Sequence, residues 1–363
     1  MSRLDGSRVL VAGAGALGSA VGWRLQRGGA QVTLADPAPR GDNASGVAAG
    51  MLAPAFEAAL DPASAAHFTL LEHARDRWPA FVEALGAEEG ALDRSGALWA
   101  GDEASIDQMQ ARLLGQGAGC ERLTRRQAQA LSPGLHAPDG AVFTGEDWRL
   151  DPQAMLGALH RALSAEGGEL AGAALTQIEE GRARLSDGRA IAVDQIVLAA
   201  GLSPAGLADP PPELARLQPI KGQIARLAGV GPRGGPVARA PGVYVVPAMG
   251  GAIVGATMES DRTDRHVEAA ALEQLRALAS PLYADLEGAK IAGAAGVRAS
   301  TPDALPMAGP SSRPGVVLAL GARRNGWLLA PLIAEIICAR LAGEAPGAWD
   351  AALDPLRVFS PPG

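Results

Sequence analysis

Hydrophobic positions along this chain follow two alternating patterns: short apolar runs bounded by turn residues, and longer segments of helical periodicity. Arg8–Ala12 (RVLVA) reads as a buried strand entering a glycine-rich turn. Leu17–Arg27 has a helical period and ends at Gly28-Gly29, and Gln31–Asp36 is a second strand stopped by Pro37. This β-turn-α-β order predicts a parallel sheet. Helices are predicted at Ala65–Leu85, Ala104–Leu114 and Val267–Ser280, and at Asp151–Ala165, whose Asp151-Pro152 start loses no helical hydrogen bond. Glu169–Ile178, Ala190–Ala199, Gly222–Leu227, Val243–Pro247 and Ala252–Ala256 read as strands. The chain closes with a strand at Val316–Leu320, a turn at Gly321–Gly326 and a long helix at Trp327–Leu341.

The order of these pieces carries information. Strand-and-helix pieces of one character occur at the start, again near 190–201, and at the end, with segments of different character between them. Ala208–Leu214 (ADPPPEL) is a rigid, proline-rich connection suited to a domain crossing. One discontinuous domain with a second interleaved into it is the expected organisation, and 363 residues exceed the usual size of one hydrophobic core.

Composition changes this picture little. The balance of 48% hydrophobic and 20% charged residues is that of a globular protein. A net charge of −7 and the lack of a basic stripe argue against a nucleic-acid partner. Cys120 and Cys338 lie far apart and outside any paired motif, so a disulfide framework is not expected. No run reaches the ~20 apolar residues of a transmembrane segment, and the start of the chain lacks the pattern of a signal peptide. A cytoplasmic location is expected.

Gly13-Ala14-Gly15-Ala16-Leu17-Gly18 fits G-x-G-x-x-G in its required context, after a strand and opening a helix. Gly13 permits the tight turn, Gly15 the close approach of a pyrophosphate, and Gly18 close helix–strand packing, with the helix N-terminus facing the negative charge. Asp36 closes the second strand, where a carboxylate accepts from both ribose hydroxyls and would repel a 2′-phosphate. This motif alone does not separate FAD from NAD. The run Ala44-Ser45-Gly46-Val47-Ala48-Ala49-Gly50-Met51-Leu52-Ala53-Pro54 adds small residues that let a flat ligand lie against backbone; a tightly packed buried helix start would look the same.

That last run resembles the segment after the second strand in the glycine oxidase (ThiO-type) branch of the D-amino-acid oxidase/sarcosine oxidase flavoproteins. The resemblance continues through Trp148–Pro152, Ile196–Gly201, Gln218–Gln223, Tyr244–Pro247, Val254–Met258, Gly296–Arg298, Thr301–Pro306 and Arg324–Pro331. It implies an α/β fold: an FAD-binding Rossmann-type domain of the glutathione-reductase kind (1–84, 148–210 and 290–363). An α+β substrate domain carrying a mixed antiparallel sheet (85–147 and 211–289) is interleaved with it.

The resemblance also implies a site. FAD would be held by Gly13, Gly15, Ala16, Leu17, Gly18, Asp36, Ser45, Ala48, Ala49, Gly50, Met51, Leu52, Leu175, Ala199, Ala200 and Gly201. Arg298, Arg324, Asn325, Gly326, Trp327 and Leu328 would complete its binding. Arg298 would clamp a substrate carboxylate, since a guanidinium offers two parallel charge-assisted hydrogen bonds. Tyr244 would donate to the same carboxylate or close the pocket, and Arg324 would stand at the catalytic turn. Met51 and Met258 would line the pocket, although core filling explains a methionine equally well. The helix after Gly326 would direct its N-terminus at the flavin. No metal-ligand cluster or histidine constellation is visible. Ala299-Ser300 follow Arg298 where covalent attachment would need a cysteine, so FAD is expected to be non-covalent.

The implied reaction is oxidation of a small amine or amino acid (glycine, sarcosine or a D-amino acid) to its imine. Hydride would pass to flavin N5 and dioxygen would reoxidise the flavin to give hydrogen peroxide, with thiamine biosynthesis as one setting. Two other readings stand beside it: a dehydrogenase for a D-amino acid, opine or 2-hydroxy acid passing electrons to a quinone or partner subunit, and a non-catalytic subunit that keeps FAD structurally. Family members occur as monomers and as homo-oligomers. The sequence departs from the branch at Ala322-Arg323, where histidine and an aromatic residue are usual. One expectation is that Arg323 serves a second acidic group or a bulkier anionic substrate; the alternative is that it points to solvent.

Overall fold

A computed structural model describes residues 4–202 and 206–359. Its first sheet has six strands in the order Met307–Pro310, Val316–Leu320, Gln195–Leu198, Arg8–Ala12, Gln31–Ala35 and Glu169–Ala171. Five run parallel, and only Met307–Pro310 pairs antiparallel, at one edge. The helix Ala16–Arg27 crosses from the first strand to the second and packs on the final helix, Gly326–Ala342. That final helix is buried on most of its circumference, as its nearly unbroken apolar sequence requires, and Gly343 ends it in the left-handed conformation.

The second layer is a nine-stranded sheet, ordered Glu259–Ser260, Gln218–Ala228, Gly251–Gly255, Val243–Ala248, Val237–Ala240, Ala97–Ala100, Ala141–Thr144, Glu121–Leu123, with Ile291–Ser300 also paired to Gln218–Ala228. It is antiparallel except where Val237–Ala240 runs parallel to Ala97–Ala100. The α/β fold with a mixed second sheet is thus as the sequence implied. The domain boundary at 290 needs correcting. Ile291–Ser300 forms ten register pairs with Gln218–Ala228, so the chain returns to the first layer after Ser300. A small antiparallel sheet, Leu175–Glu179, Arg182–Leu185 and Ala190–Ala192, covers the first layer.

Several predicted elements divide where local chemistry demands it. Ala65–Leu85 becomes two helices, Phe68–Arg75 and Trp78–Leu85, because Pro79 lacks the N–H a continuous helix needs and instead begins a new one. Glu169–Ile178 divides into strands of different sheets. Ala190–Ala199 divides likewise at Val193-Asp194. The helix Pro54–Leu60 was not expected; it starts at Pro54 and carries Glu57 toward the space between the layers.

The glycine turn fixes how the first layer closes. A Cβ on Gly18 would lie 1.8 Å from the Gly13 carbonyl oxygen, so the helix can sit this close to its own entry turn only without one. Backbone cannot yield as a flexible side chain does. We expect Gly18→Ala to destabilise the fold by about 1–3 kcal/mol, measured as a shift in urea midpoint with unchanged slope. An unchanged midpoint would mean the helix can slide outward freely.

Candidate active site

Between the two layers lies a cavity of about 300 Å³. Its floor is one face of the nine-stranded sheet, where Arg239 pairs with Tyr244, Tyr244 with Gly255, and Gly255 with Ile224. Its roof is the Ala44–Met51 segment together with Arg324, Asn325 and Trp327 at the start of the final helix. Trp327 is anchored there by its indole N–H, which donates to the Ser45 carbonyl at 3.0 Å.

Two glycines make room on the floor. A Cβ on Gly222 would lie 2.2 Å from Arg298 Nη1, so the Arg298 guanidinium crosses directly over that strand. A Cβ on Gly255 would lie 2.4 Å from the Tyr244 hydroxyl. The guanidinium and the phenol therefore reach over neighbouring strands from opposite sides. Arg298 Nη1 is buried and has no hydrogen-bond partner. Burial holds the Arg298 pKa below its ordinary value, partly offset by Tyr244, and burial pushes the Tyr244 phenol up. Both groups are thus donors at neutral pH, facing the same volume.

The other charged groups are paired differently. Arg324 Nη2 donates to Glu57 Oε1 at 2.8 Å, and Arg324 Nη1 lies 3.6 Å from the Met258 sulfur. Glu57 holds the Arg324 pKa up. Arg323 adopts a left-handed backbone with φ of 50° and pairs with Asp61, outside the residues that line the cavity. Burial raises the Asp61 carboxyl, but Arg323 and Arg324 bring it net below its usual range. The expectation that Arg323 meets the substrate, or else solvent, gives way to this ion pair: its carboxylate partner is already supplied by the protein.

Arg239 is the residue that sequence reasoning missed. It is 3% exposed, lines the cavity, and stacks over Phe56 and Tyr244 with its guanidinium carbon 5.2 and 6.0 Å from the ring centroids. The available signal was its place five residues before Tyr244 on a hairpin, which sets the two directly opposite. Asp147, also missed, accepts from the Ala55 and Phe56 amides at 2.8 and 3.1 Å and so caps the helix that carries Glu57.

A second cavity, of about 200 Å³, lies at the far end of the glycine turn and is lined by Ala14, Asp36, Arg40, Asn43 and His160 among others. Asp36 accepts from the Ala14 and Ala38 amides at 2.8 and 2.9 Å, and Ser45 Oγ accepts from the Ala16 amide at 2.9 Å. A Cβ on Gly15 would reach within 2.9 Å of Ser45 Oγ. Two cavities and a glycine turn in which a side chain at Gly15 would crowd Ser45 suit an elongated dinucleotide. Burial and Arg40 lower the pKa of His160, whose Nε2 lies 3.0 Å from Ser19 Oγ.

Of the residues expected at the cofactor, Ala48, Ala49, Gly50, Met51, Arg298, Arg324, Asn325 and Trp327 line the first cavity. Asp36 lines the second. Gly13, Gly18, Ala199 and Ala200 pack against one another behind the turn. Leu52, Leu175 and Leu328 line neither cavity and are core residues, at 0%, 1% and 0% exposure.

The sequence profile of the FAD dependent oxidoreductase (DAO) family matches residues 8–340. Glycine oxidase from Geobacillus kaustophilus (strain HTA426) is 28% identical over 91% of each chain. The solved glycine oxidase structure from that species superposes with a TM-score of 0.83 over 98% of this chain and 100% of that one, at 26% identity. Iminodiacetate oxidase (IdaA) from Chelativorans sp. BNC1 gives 0.84 at 25% identity, covering 96% and 99%. The tRNA 5-methylaminomethyl-2-thiouridine biosynthesis bifunctional protein MnmC from Caulobacter sp. (strain K31) is 33% identical over 97% of this chain, which spans 58% of that protein. Among the described residues no helix is long and apolar enough to cross a membrane.

Burial raises the Asp147 carboxyl to about 6, with Arg239 and the two amides offsetting only part of the effect. The folded chain therefore binds this proton more tightly than the unfolded chain. The carboxyl costs stability as pH rises from about 4 to about 6, and the cost is absent below that window. Relative to Asp147→Asn, we expect the wild type to gain roughly 2 kcal/mol on going from about pH 7 to about pH 4. Urea unfolding of both proteins across that range checks it, and a pH-independent difference would show that Asp147 ionises normally.

Proposed function

The chain belongs to the FAD dependent oxidoreductase (DAO) family and is an FAD-binding flavoprotein, and on that footing we propose that it oxidises a small amino acid held by its carboxylate. The observation that carries this reading is the convergence of Arg298, with a buried unpartnered Nη1, and the Tyr244 hydroxyl on one cavity against the segment expected to hold the cofactor.

FAD, which the Gly13–Gly18 turn, Asp36 and the Ala48–Met51 segment would hold, would supply a hydride acceptor for the substrate C–H bond that dioxygen reoxidises to give hydrogen peroxide, and the imine product would hydrolyse. The protein's own contribution is position and charge. Arg298 and Tyr244 fix the carboxylate, which leaves the amine-bearing carbon facing the roof formed by Ala48–Met51 and Asn325–Trp327. Met51 and Leu60 narrow that space, and a neutral amine loses hydride directly, so no strong base is required of the chain. The start of the final helix, opening on the cavity at Asn325 and Trp327, presents N–H groups and the positive end of its dipole to negative charge developing there. Arg324 stays in register with that helix through its bond to Glu57. The names of the similar proteins, glycine oxidase and iminodiacetate oxidase, both describe oxidation of small amino acids and support the class.

Purified holoenzyme should be bleached anaerobically by at least one of glycine, sarcosine, other N-substituted glycines and D-amino acids, with peroxide formed when air is admitted. Arg298→Lys, which keeps the charge but not the planar fork, should lose roughly 100-fold in kcat/KM, mostly through KM, with an unchanged flavin spectrum. Absence of bleaching by every amine would end this reading; bleaching with slow reoxidation would make the enzyme a dehydrogenase. Cys120 and Cys338 line neither cavity, so acid precipitation should leave colourless protein and yellow supernatant, and a yellow pellet would contradict dissociable FAD.

A further inference from the structure

The cavity holds a second guanidinium that the amino-acid carboxylate does not use. We propose that Arg239 is a second anion-binding group, so that the preferred substrates are amino acids carrying two carboxylates, in the manner of a secondary amine with a carboxylate on each arm or an acidic amino acid. This rests on the oxidation of an amino acid at the same site.

Arg239 is 97% removed from solvent by its 3% exposure, yet forms no ion pair within 4.0 Å among the described residues. Its Nε has no hydrogen-bond partner, and its one polar contact is Nη2 to the Met51 sulfur at 3.2 Å. A thioether is a weak acceptor. The rings of Phe56 and Tyr244 stabilise the cation but occupy none of its N–H groups. A buried charge left so incompletely satisfied costs several kcal/mol and is expected where a ligand completes it.

The neighbouring acid does not explain it. Asp147 already accepts two backbone amides, at the N-terminus of the Pro54–Leu60 helix, and no Asp147 oxygen lies within ion-pair distance of Arg239. Glu57 is taken by Arg324, and Asp61 by Arg323. Glu57 is thus held through Oε1, with Oε2 left unbonded, and Asp147 through both oxygens, whereas Arg239 and Arg298 each keep a buried nitrogen without a hydrogen bond and neither has a carboxylate within 4.0 Å among the described residues.

Their placement suits two ends of one small molecule. Arg298 approaches over Gly222, from the strand on the far side of Gln218–Ala228. Arg239 approaches from Val237–Ala240, beyond the Tyr244 strand on the opposite side. Tyr244 stands between them, its ring flanked by Arg239 and its hydroxyl over Gly255, toward Arg298. A carboxylate on each guanidinium would place the nitrogen-bearing carbon between, beneath Met51.

Two measurements on the holoenzyme test this. Flavin spectral titration with acetate, malonate, succinate and glutarate requires no variant and no turnover. At least one dicarboxylate should bind about 10-fold or more tighter than acetate, and that preference should vanish in Arg239→Gln. Steady-state or anaerobic reduction should favour iminodiacetate, D-aspartate or D-glutamate over sarcosine and glycine. Arg239→Gln should cost about 10- to 100-fold in kcat/KM on the dicarboxylate, carried by KM, and less than about 3-fold on the monocarboxylate. Equal affinity for acetate and every dicarboxylate in the wild type would overturn the proposal, even if the variant fails to fold. So would equal losses on both substrate types, which would make Arg239 a structural cation. Turnover of monocarboxylic amines alone would remove this inference and leave the amino-acid reading intact. Failure to oxidise any amine would remove that reading, while the titration would still decide whether the second anion site exists.

Discussion

Holding guanidinium groups against the face of a sheet, partly stripped of water and short of partners, is the constraint around which this site is built. A buried cation costs several kcal/mol unless it is met by an anion or well-placed acceptors. Here the expense is limited by geometry. The nine-stranded sheet gives up side chains at Gly222 and Gly255 so that Arg298 and Tyr244 can lie flat across it. A residue with a Cβ at either position would push the donors up into the cavity and close it. The chemistry of the site is thus conditional on two absences in neighbouring strands. The same sheet must be wide enough to bring Arg239 and Arg298 in from opposite sides, which is why Ile291–Ser300 belongs to it.

The protein separates its charges by assignment. Glu57, in the middle of the Pro54–Leu60 helix, and Asp61, at its C-terminal end, neutralise Arg324 and Arg323. Asp147 holds the N-terminus of that helix by accepting two of its first amides. A short helix so tethered keeps two acids against the turn before the final helix. That leaves the turn rigid and close to neutral while the cavity floor remains cationic. On the proposed reading, an incoming carboxylate meets the unpaired donors on the floor and the amine end is directed toward the roof. Binding of such an anion would add stability that grows logarithmically with its concentration above Kd, since it completes hydrogen bonds that the free protein lacks.

The first layer was legible in the sequence because its rules are local. A strand, G-x-G-x-x-G, a helix and an acid at the end of the next strand sit within one short stretch, and the contacts of Gly13, Gly15 and Gly18 follow from that order. Tyr244 and Arg298, which line the cavity, were named through a resemblance spread over the chain rather than by any local pattern. Periodicity could not have shown that Ile291–Ser300 leaves the first layer, since an apolar strand looks alike in either sheet. The helix Pro54–Leu60 was readable from Pro54 and its alanines, but the small-residue run before it drew attention to the cofactor instead.

The assignment of the arginines shows where reading by position stops. Arg323 replaces an aromatic residue at the final turn, so it stood out as the cation for a second acidic group. Its backbone φ of 50° turns the side chain toward Asp61, a residue far away in sequence, and the ion pair consumes it. Arg239 sits in an unremarked strand and broke no pattern, yet its register opposite Tyr244 places it against the cavity without an acid to meet it. Charge alone therefore says little about which arginine is free to bind. That is decided by which carboxylates the fold brings within reach, and those partners are separated from their arginines by most of the chain. Only the three-dimensional count of paired and unpaired donors distinguishes a guanidinium that holds the fold from one that waits for a ligand.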